Sequence, residues 1–258
     1  MALPTPIEVI INILVVIIGI PIVYLLSNAL KLRPKSLVIE HPRRELTLVF
    51  LVIIALSAMI SVRSVTYKLP PWLQVDAIDL LWVAVYYTTL FIPVIIAMKR
   101  TGQNLRSIGI SSEDKWRMFA LGLIFSAIYI TITGIVAPSI GVKFMGFSTS
   151  QAYGLIFFAI VGFGEETIWR GYIQTRLIAY AGTLKGYVIA SLLFALWHFP
   201  IYYHGVVLET LASTFLVLVP SLLMGYIMLR SQNIIPSSIF HLFWDWNNML
   251  LWQLIRLP

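Results

Sequence analysis

Apolar runs about one bilayer thickness long recur eight times along this chain, with few charges inside them. They cover about 7–30, 46–62, 76–98, 118–141, 152–175, 186–203, 208–229 and 235–256. A helix that crosses the hydrocarbon layer needs roughly 20 mostly apolar residues. The expected fold is therefore all-α, a polytopic transmembrane helix bundle of about eight helices. Charged residues make up 11% of the 258, against about 25% in a soluble domain. A water-facing surface cannot be covered with so few. No soluble-looking insert, repeat or low-complexity stretch divides the chain, so a single integral membrane domain over 1–258 is expected.

The charges that remain sit mainly between the runs. Lys and Arg number 18 against 11 Asp and Glu. In a soluble protein that excess would suggest nucleic acid; here it reads as topology signal and contact with anionic headgroups, with no nucleic-acid partner. The first, third, fifth and seventh loops hold 13 basic residues, among them Lys31, Arg33, Lys35, Arg43, Arg44, Arg176 and Lys185. The even loops hold three, Arg63, Lys68 and Lys143. This asymmetry predicts odd loops in the cytoplasm and both termini outside. The leader before the first run carries no Lys or Arg, and the run is too long for a cleavable segment, so it is read as a retained helix. The expected location is the cell membrane, or the endoplasmic reticulum membrane in a eukaryote. Absence of cysteine removes disulfides, thiolate metal sites and cysteine nucleophiles together.

Most acids fall at helix starts (Glu8, Asp76, Asp79, Glu209) or in loops (Glu40, Glu45, Glu113, Asp114). Only Glu165, Glu166 and Asp245 lie deep, with His198, His241 and the one deep cation, Arg170. An ionised group at mid-bilayer costs on the order of 3 kcal/mol on insertion scales, and such residues commonly mark function. They fall in three stretches on three different helices: GEETIWRGY (164–172), FALWHFP (194–200) and HLFWDW (241–246). Glu placed four residues before Arg is the favourable helical order, so Glu166 and Arg170 pair. Glu165 is rotated about 100° away and is not neutralised by that arginine. A carboxylate without a local counter-charge suits a general base. His241 and Asp245 are again four apart, so Asp245 can sit beside the histidine as a second ligand or orient its ring; Asn248 shares that face. Taken alone, His198 can be satisfied by a backbone carbonyl, and Trp169, Trp197, Trp244 and Trp246 suit packing or an aromatic belt. His204 reads as an interfacial residue.

In order and spacing, Glu165-Glu166-Thr167-Ile168-Trp169-Arg170, then Phe194 to His198, then His241 to Asp245 resemble the CPBP (Abi) family of intramembrane metalloproteases. That family includes type II CAAX prenyl endopeptidases and bacteriocin-processing or self-immunity proteins. The resemblance covers about 150–250 and implies a catalytic core there. It implies that Glu165 is the base that activates water, assisted by His198, and that His241 and Asp245 bind metal or stabilise an oxyanion. Glu166 and Arg170 would support the site. It further implies a divalent metal, zinc first, held among Glu165, His198, His241 and Asp245, and a membrane-associated protein or peptide substrate, with or without a prenyl group. The prenyl endopeptidases carry Asn at the last position. An ionised Asp245 cannot donate a hydrogen bond, which favours metal coordination or orientation of His241 there.

The function expected is thus a metal-dependent intramembrane endopeptidase. The rival is a non-enzymatic transporter, proton relay or immunity scaffold, since buried Glu and His also build proton pathways. Transporters more often show repeated halves with broken helices. Here the deep acids cluster in the C-terminal half alone, which favours the enzyme.

Overall fold

The computed structural model describes residues 6–32, 37–66, 75–140, 142–144, 146–203, 205–248 and 252–254. Its helices are α1 (Pro6–Ala29), α2 (Pro42–Thr66), α3 (Ala77–Arg100), α4 (Lys115–Val136) and α5 (Thr149–Glu166). A π-helical segment, Thr167–Gln174, then runs into α6 (Thr175–Ala181), followed by α7 (Thr183–Trp197), α8 (Phe199–Tyr202), α9 (Val207–Ser231) and α10 (Ile234–Trp246).

Local chemistry sets several of these boundaries. Asp76 accepts from the backbone N–H groups of Ile78 and Asp79 at 2.8 and 3.0 Å, and Asp79 accepts back from Asp76 N–H at 3.0 Å. This capping box satisfies donors at the start of α3 that would otherwise be orphaned near the bilayer. Asn233 caps α10 in the same way, accepting from Ile235 N–H at 2.9 Å. Gln232 stops α9 in the left-handed region, φ 51°.

Among the described residues, seven helices are long and apolar enough to cross a membrane. The longest is Thr149–Ala181, which joins α5, the π segment and α6 into one span of 33 residues. The eighth expected run, 235–256, is α-helical from Ile234 to Trp246 and π-helical at Asn247 and Asn248; 249–251 and 255–256 lie outside the described residues. Helix α10 has 13 residues, about 20 Å at 1.5 Å per residue, short of the roughly 30 Å hydrocarbon layer. Just past α10, polar side chains find partners on α4: Asn247 donates to Thr133 at 3.2 Å, and Asn248 accepts from the Tyr129 hydroxyl at 2.7 Å. Trp252–Leu254 (β2) then pairs antiparallel with Val142–Phe144 (β1), Phe144 facing Trp252.

The short helix is an inner element, packed against α4 and α5. The approach to α5 is close. A Cβ on Gly162 would lie 2.9 Å from the Ser238 carbonyl oxygen and 3.0 Å from Leu242 N, so only glycine admits this backbone contact, the small-residue device of membrane helix pairs. Helix α3 lies on another face of α5, α9 packs on α7 and α1, and α6 packs on α7 and α2.

Two further expectations change. Glu45, expected in a loop, lies in the first turn of α2 and is fully buried. Arg176, expected among the cytoplasmic loop charges, is in α6, fully buried, with its Nε 3.3 Å from Glu45 Oε2. Its guanidinium also donates to the Ser107 carbonyl at 2.8 Å and the Ser107 hydroxyl at 2.9 Å, and stacks 4.5 Å from the Tyr172 ring centre. An ion pair formed inside the bundle explains why neither residue sits in a loop. Arg33, Lys35, Lys68, His204 and Arg256 lie outside the described residues.

Candidate active site

All six sequence-derived site residues converge from α5, the π segment, the end of α7 and α10. Glu165 and Glu166 close α5; Arg170 follows within the π segment. Such segments inside helices recur at functional sites because they re-aim the side chains that follow. Glu165, Glu166, Arg170 and His241 are buried; Asp245 is the most open, its side chain 20% exposed.

The two glutamates diverge as the helical period requires. Glu166 Oε2 lies 3.4 Å from Arg170 Nε. The pair spans the junction from α- to π-helix, and these two atoms meet as charges without an aligned hydrogen bond. Arg170 finds further contacts: Ser221 at 3.3 Å, Met224 Sδ at 3.8 Å, and the Phe194 ring, 4.4 Å from the guanidinium carbon. The other Glu166 oxygen, Oε1, lies 3.0 Å from His241 Nδ1. Glu166 therefore joins Arg170 to the histidine of α10, a link its sequence spacing did not reveal.

Glu165 points the other way. Its Oε2 lies 3.7 Å from His198 Nε2 and 3.8 Å from His241 Nε2. Its Oε1 accepts from the Tyr87 hydroxyl at 2.5 Å. Tyr87 belongs to α3, and the sequence reading missed it; an aromatic pair in an apolar run looks like packing, and no spacing rule reaches across 78 residues.

His198 makes the backbone contact expected of a lone buried histidine, and more. Its Nδ1 lies 2.9 Å from the Phe194 carbonyl. A carbonyl can only accept, so Nδ1 carries the proton, a tautomer assigned from the partner. In the neutral ring, Nε2 then presents a lone pair toward Glu165 Oε2. Neither atom can donate to the other. Acceptor faces acceptor at 3.7 Å, an arrangement suited to a molecule with two protons, or a cation, between them.

On α10, His241 Nε2 also lies 3.4 Å from Asp245 Oδ2, so Asp245 does stand beside the ring one turn away. Asn248 shares the face in sequence but bonds Tyr129 instead. The tryptophans pack: Trp169 stands at 5.5 Å from both Phe194 and Trp197, and Trp244 stacks on Tyr129 at 4.8 Å.

The donor types around Glu165, two imidazole nitrogens and two carboxylates, are those that divalent zinc takes. Among the described residues, however, no group of three or more His, Cys, Asp or Glu forms a ready metal site. The chemistry of the donors suits an ion, while their separations of 3.4–3.8 Å also suit a bridging water.

Comparison with known proteins bears on the same segment. Residues 148–247 match the family model described as type II CAAX prenyl endopeptidase Rce1-like. The match runs from the start of α5 through α10 and contains all six residues above; α3 and Tyr87 lie outside it. No curated protein and no solved structure matches the chain.

Proposed function

We propose, on the premise that residues 148–247 belong to the type II CAAX prenyl endopeptidase Rce1-like family, that this protein hydrolyses a peptide bond near the C-terminus of a membrane-associated, prenyl-bearing protein or peptide. The observation that carries the reading is the pair of facing acceptors, Glu165 Oε2 and His198 Nε2, 3.7 Å apart with side chains only 7% and 12% exposed. A water between them donates one proton to each.

In this mechanism Glu165 takes a proton from that water as the oxygen attacks the scissile carbonyl carbon. His198 holds the other proton and aligns the attack. The tetrahedral oxyanion forms on the His241 side, where Glu166 and Asp245 fix the ring. On collapse the C–N bond breaks, and Glu165 returns its proton to the leaving amine. One water is consumed and two peptides are released. A divalent ion, zinc first, would be held by the same donors, Glu165, His198, His241 and Asp245, in place of the hydrogen bonds from water, and would supply Lewis-acid polarisation of the attacking water. Burial of the site excludes bulk water, so each electrostatic contact acts in a medium of low dielectric.

The test is cleavage of a C-terminal peptide library, with and without prenyl groups, by protein purified in detergent. The reading expects release of C-terminal fragments, with preference for prenylated members. No cleavage of any member would sink it; equal cleavage of both sets would remove the prenyl requirement.

A further inference from the structure

The contact on the far side of Glu165 has no place in the motifs, yet it is the shortest polar contact the glutamate makes. Tyr87 donates to Glu165 Oε1 at 2.5 Å, against 3.7 and 3.8 Å for the two histidines on Oε2. The ring is buried, 6% exposed, with its edge toward Tyr86 at 5.4 Å; Tyr86 stacks on Trp82 at 5.0 Å. The phenol has little room to turn away. The neighbour of the glutamate is shaped to it. A Cβ placed on Gly164 would fall 2.3 Å from Tyr87 Cδ1 and 2.9 Å from Cγ, closer than carbon atoms can stand. Only glycine immediately before Glu165 admits the ring at this depth.

We infer that Tyr87 is a positioning residue for Glu165: its hydroxyl pins one carboxylate oxygen so that the other faces His198 and His241. A carboxylate on a free side chain rotates; one held by a 2.5 Å hydrogen bond presents a fixed oxygen. A hydrogen bond to an ionised group is also among the stronger kinds. The consequence is that the first half of the chain, which carries no motif, completes the site through α3. This role rests on the function proposed above.

The experiment compares wild type, Tyr87→Phe and Gly164→Ala for peptide cleavage, and runs a melting cycle with Glu165→Leu, which leaves Tyr87 no acceptor, in detergent. Tyr87→Phe keeps the ring and removes the donor. Its kcat should fall by about ten- to a hundredfold, the range that loss of a hydrogen bond to a charged group converts to, with KM unchanged. Gly164→Ala, which displaces the ring, should reproduce the fall in kcat. In the melting cycle, Tyr87→Phe should lower the midpoint more in the wild-type background than in Glu165→Leu. Unchanged kcat in an active enzyme, or equal melting shifts in both backgrounds, would overturn the assignment. A wild type that cleaves nothing would sink the proposed function separately. The melting cycle needs no activity and then decides by itself whether Tyr87 fixes Glu165.

Discussion

His241 Nδ1 lies 3.0 Å from Glu166 Oε1, across the interface between α10 and the end of α5. The same carboxylate meets Arg170 through its second oxygen, at 3.4 Å. One buried anion therefore holds two partners, an arginine on its own helix and a histidine on the next. Glu166→Gln keeps an acceptor for the histidine but strands a fully buried guanidinium. Removing one partner of a buried pair costs about 3–5 kcal/mol. The variant should melt markedly lower in detergent, and Glu166→Gln/Arg170→Gln should recover part of the loss. Melting curves of the single and double variants decide it; an unshifted single variant would show that Glu166 does not carry the arginine.

Further along the same long span, Arg176 forms a second fully buried pair with Glu45 of α2, 3.3 Å apart. It ties α2 to α6 and, through Ser107, to the segment after α3. Ten residues on from Glu166, about 15 Å at 1.5 Å per residue, Arg176 makes no ion pair with the proposed catalytic acids among the described residues, so loss of the pair should act on stability. Glu45→Gln should lower the melting midpoint by an amount in the same range of about 3–5 kcal/mol, while activity per folded molecule is retained. Loss of activity at full stability would contradict a bracing role.

Much of this arrangement was legible in the sequence. The long apolar runs gave the spans because bilayer thickness sets helix length, and the three polar stretches pointed to residues that cluster in the fold because charge inside a membrane is costly. The four-residue spacing of Glu166 and Arg170 foretold their pairing, and its period turned Glu165 the other way. What stayed hidden depended on partners distant in the chain. Glu45 follows Pro42, Arg43 and Arg44 and reads as a loop acid until Arg176 appears against it. Tyr87 reads as packing until Glu165 lies 2.5 Å from its hydroxyl. Asn247 and Asn248 read as polar residues of the eighth run; that they bond Thr133 and Tyr129 of α4 is visible only once the fold brings that helix near.

Burial of Arg176 removes one of the 13 odd-loop cations and leaves the asymmetry strong. The segment between α3 and α4 is therefore expected in the cytoplasm and the segment around β1 outside. Ser112 and Lys143 are both exposed, and the chain has no cysteine of its own. In intact cells, Ser112→Cys should resist a membrane-impermeant thiol reagent and Lys143→Cys should react. The reverse pattern would invert the topology.

If a divalent ion shares His198 and His241, replacing either with Ala leaves an incomplete shell that binds far more weakly. Elemental analysis of purified wild type should then find metal, and His198→Ala and His241→Ala should each lose it. Full occupancy in both variants would refute a shared site. An active wild type free of metal would assign the chemistry to Glu165, His198 and His241 alone.

The central claim is that Glu165 and Glu166, adjacent in sequence, do different work. Glu165 has no arginine of its own and faces His198 and His241, so it is the group placed to take a proton from water. Glu165→Gln is nearly isosteric, keeps an acceptor for Tyr87 and removes the base. The measurement is the rate of peptide cleavage by this variant beside its melting curve. The account predicts wild-type-like melting with activity reduced by at least about 100-fold, the scale of losing a general base. A Glu165→Gln protein that cleaves at the wild-type rate, beside a stable but inert Glu166→Gln, would reverse the two roles.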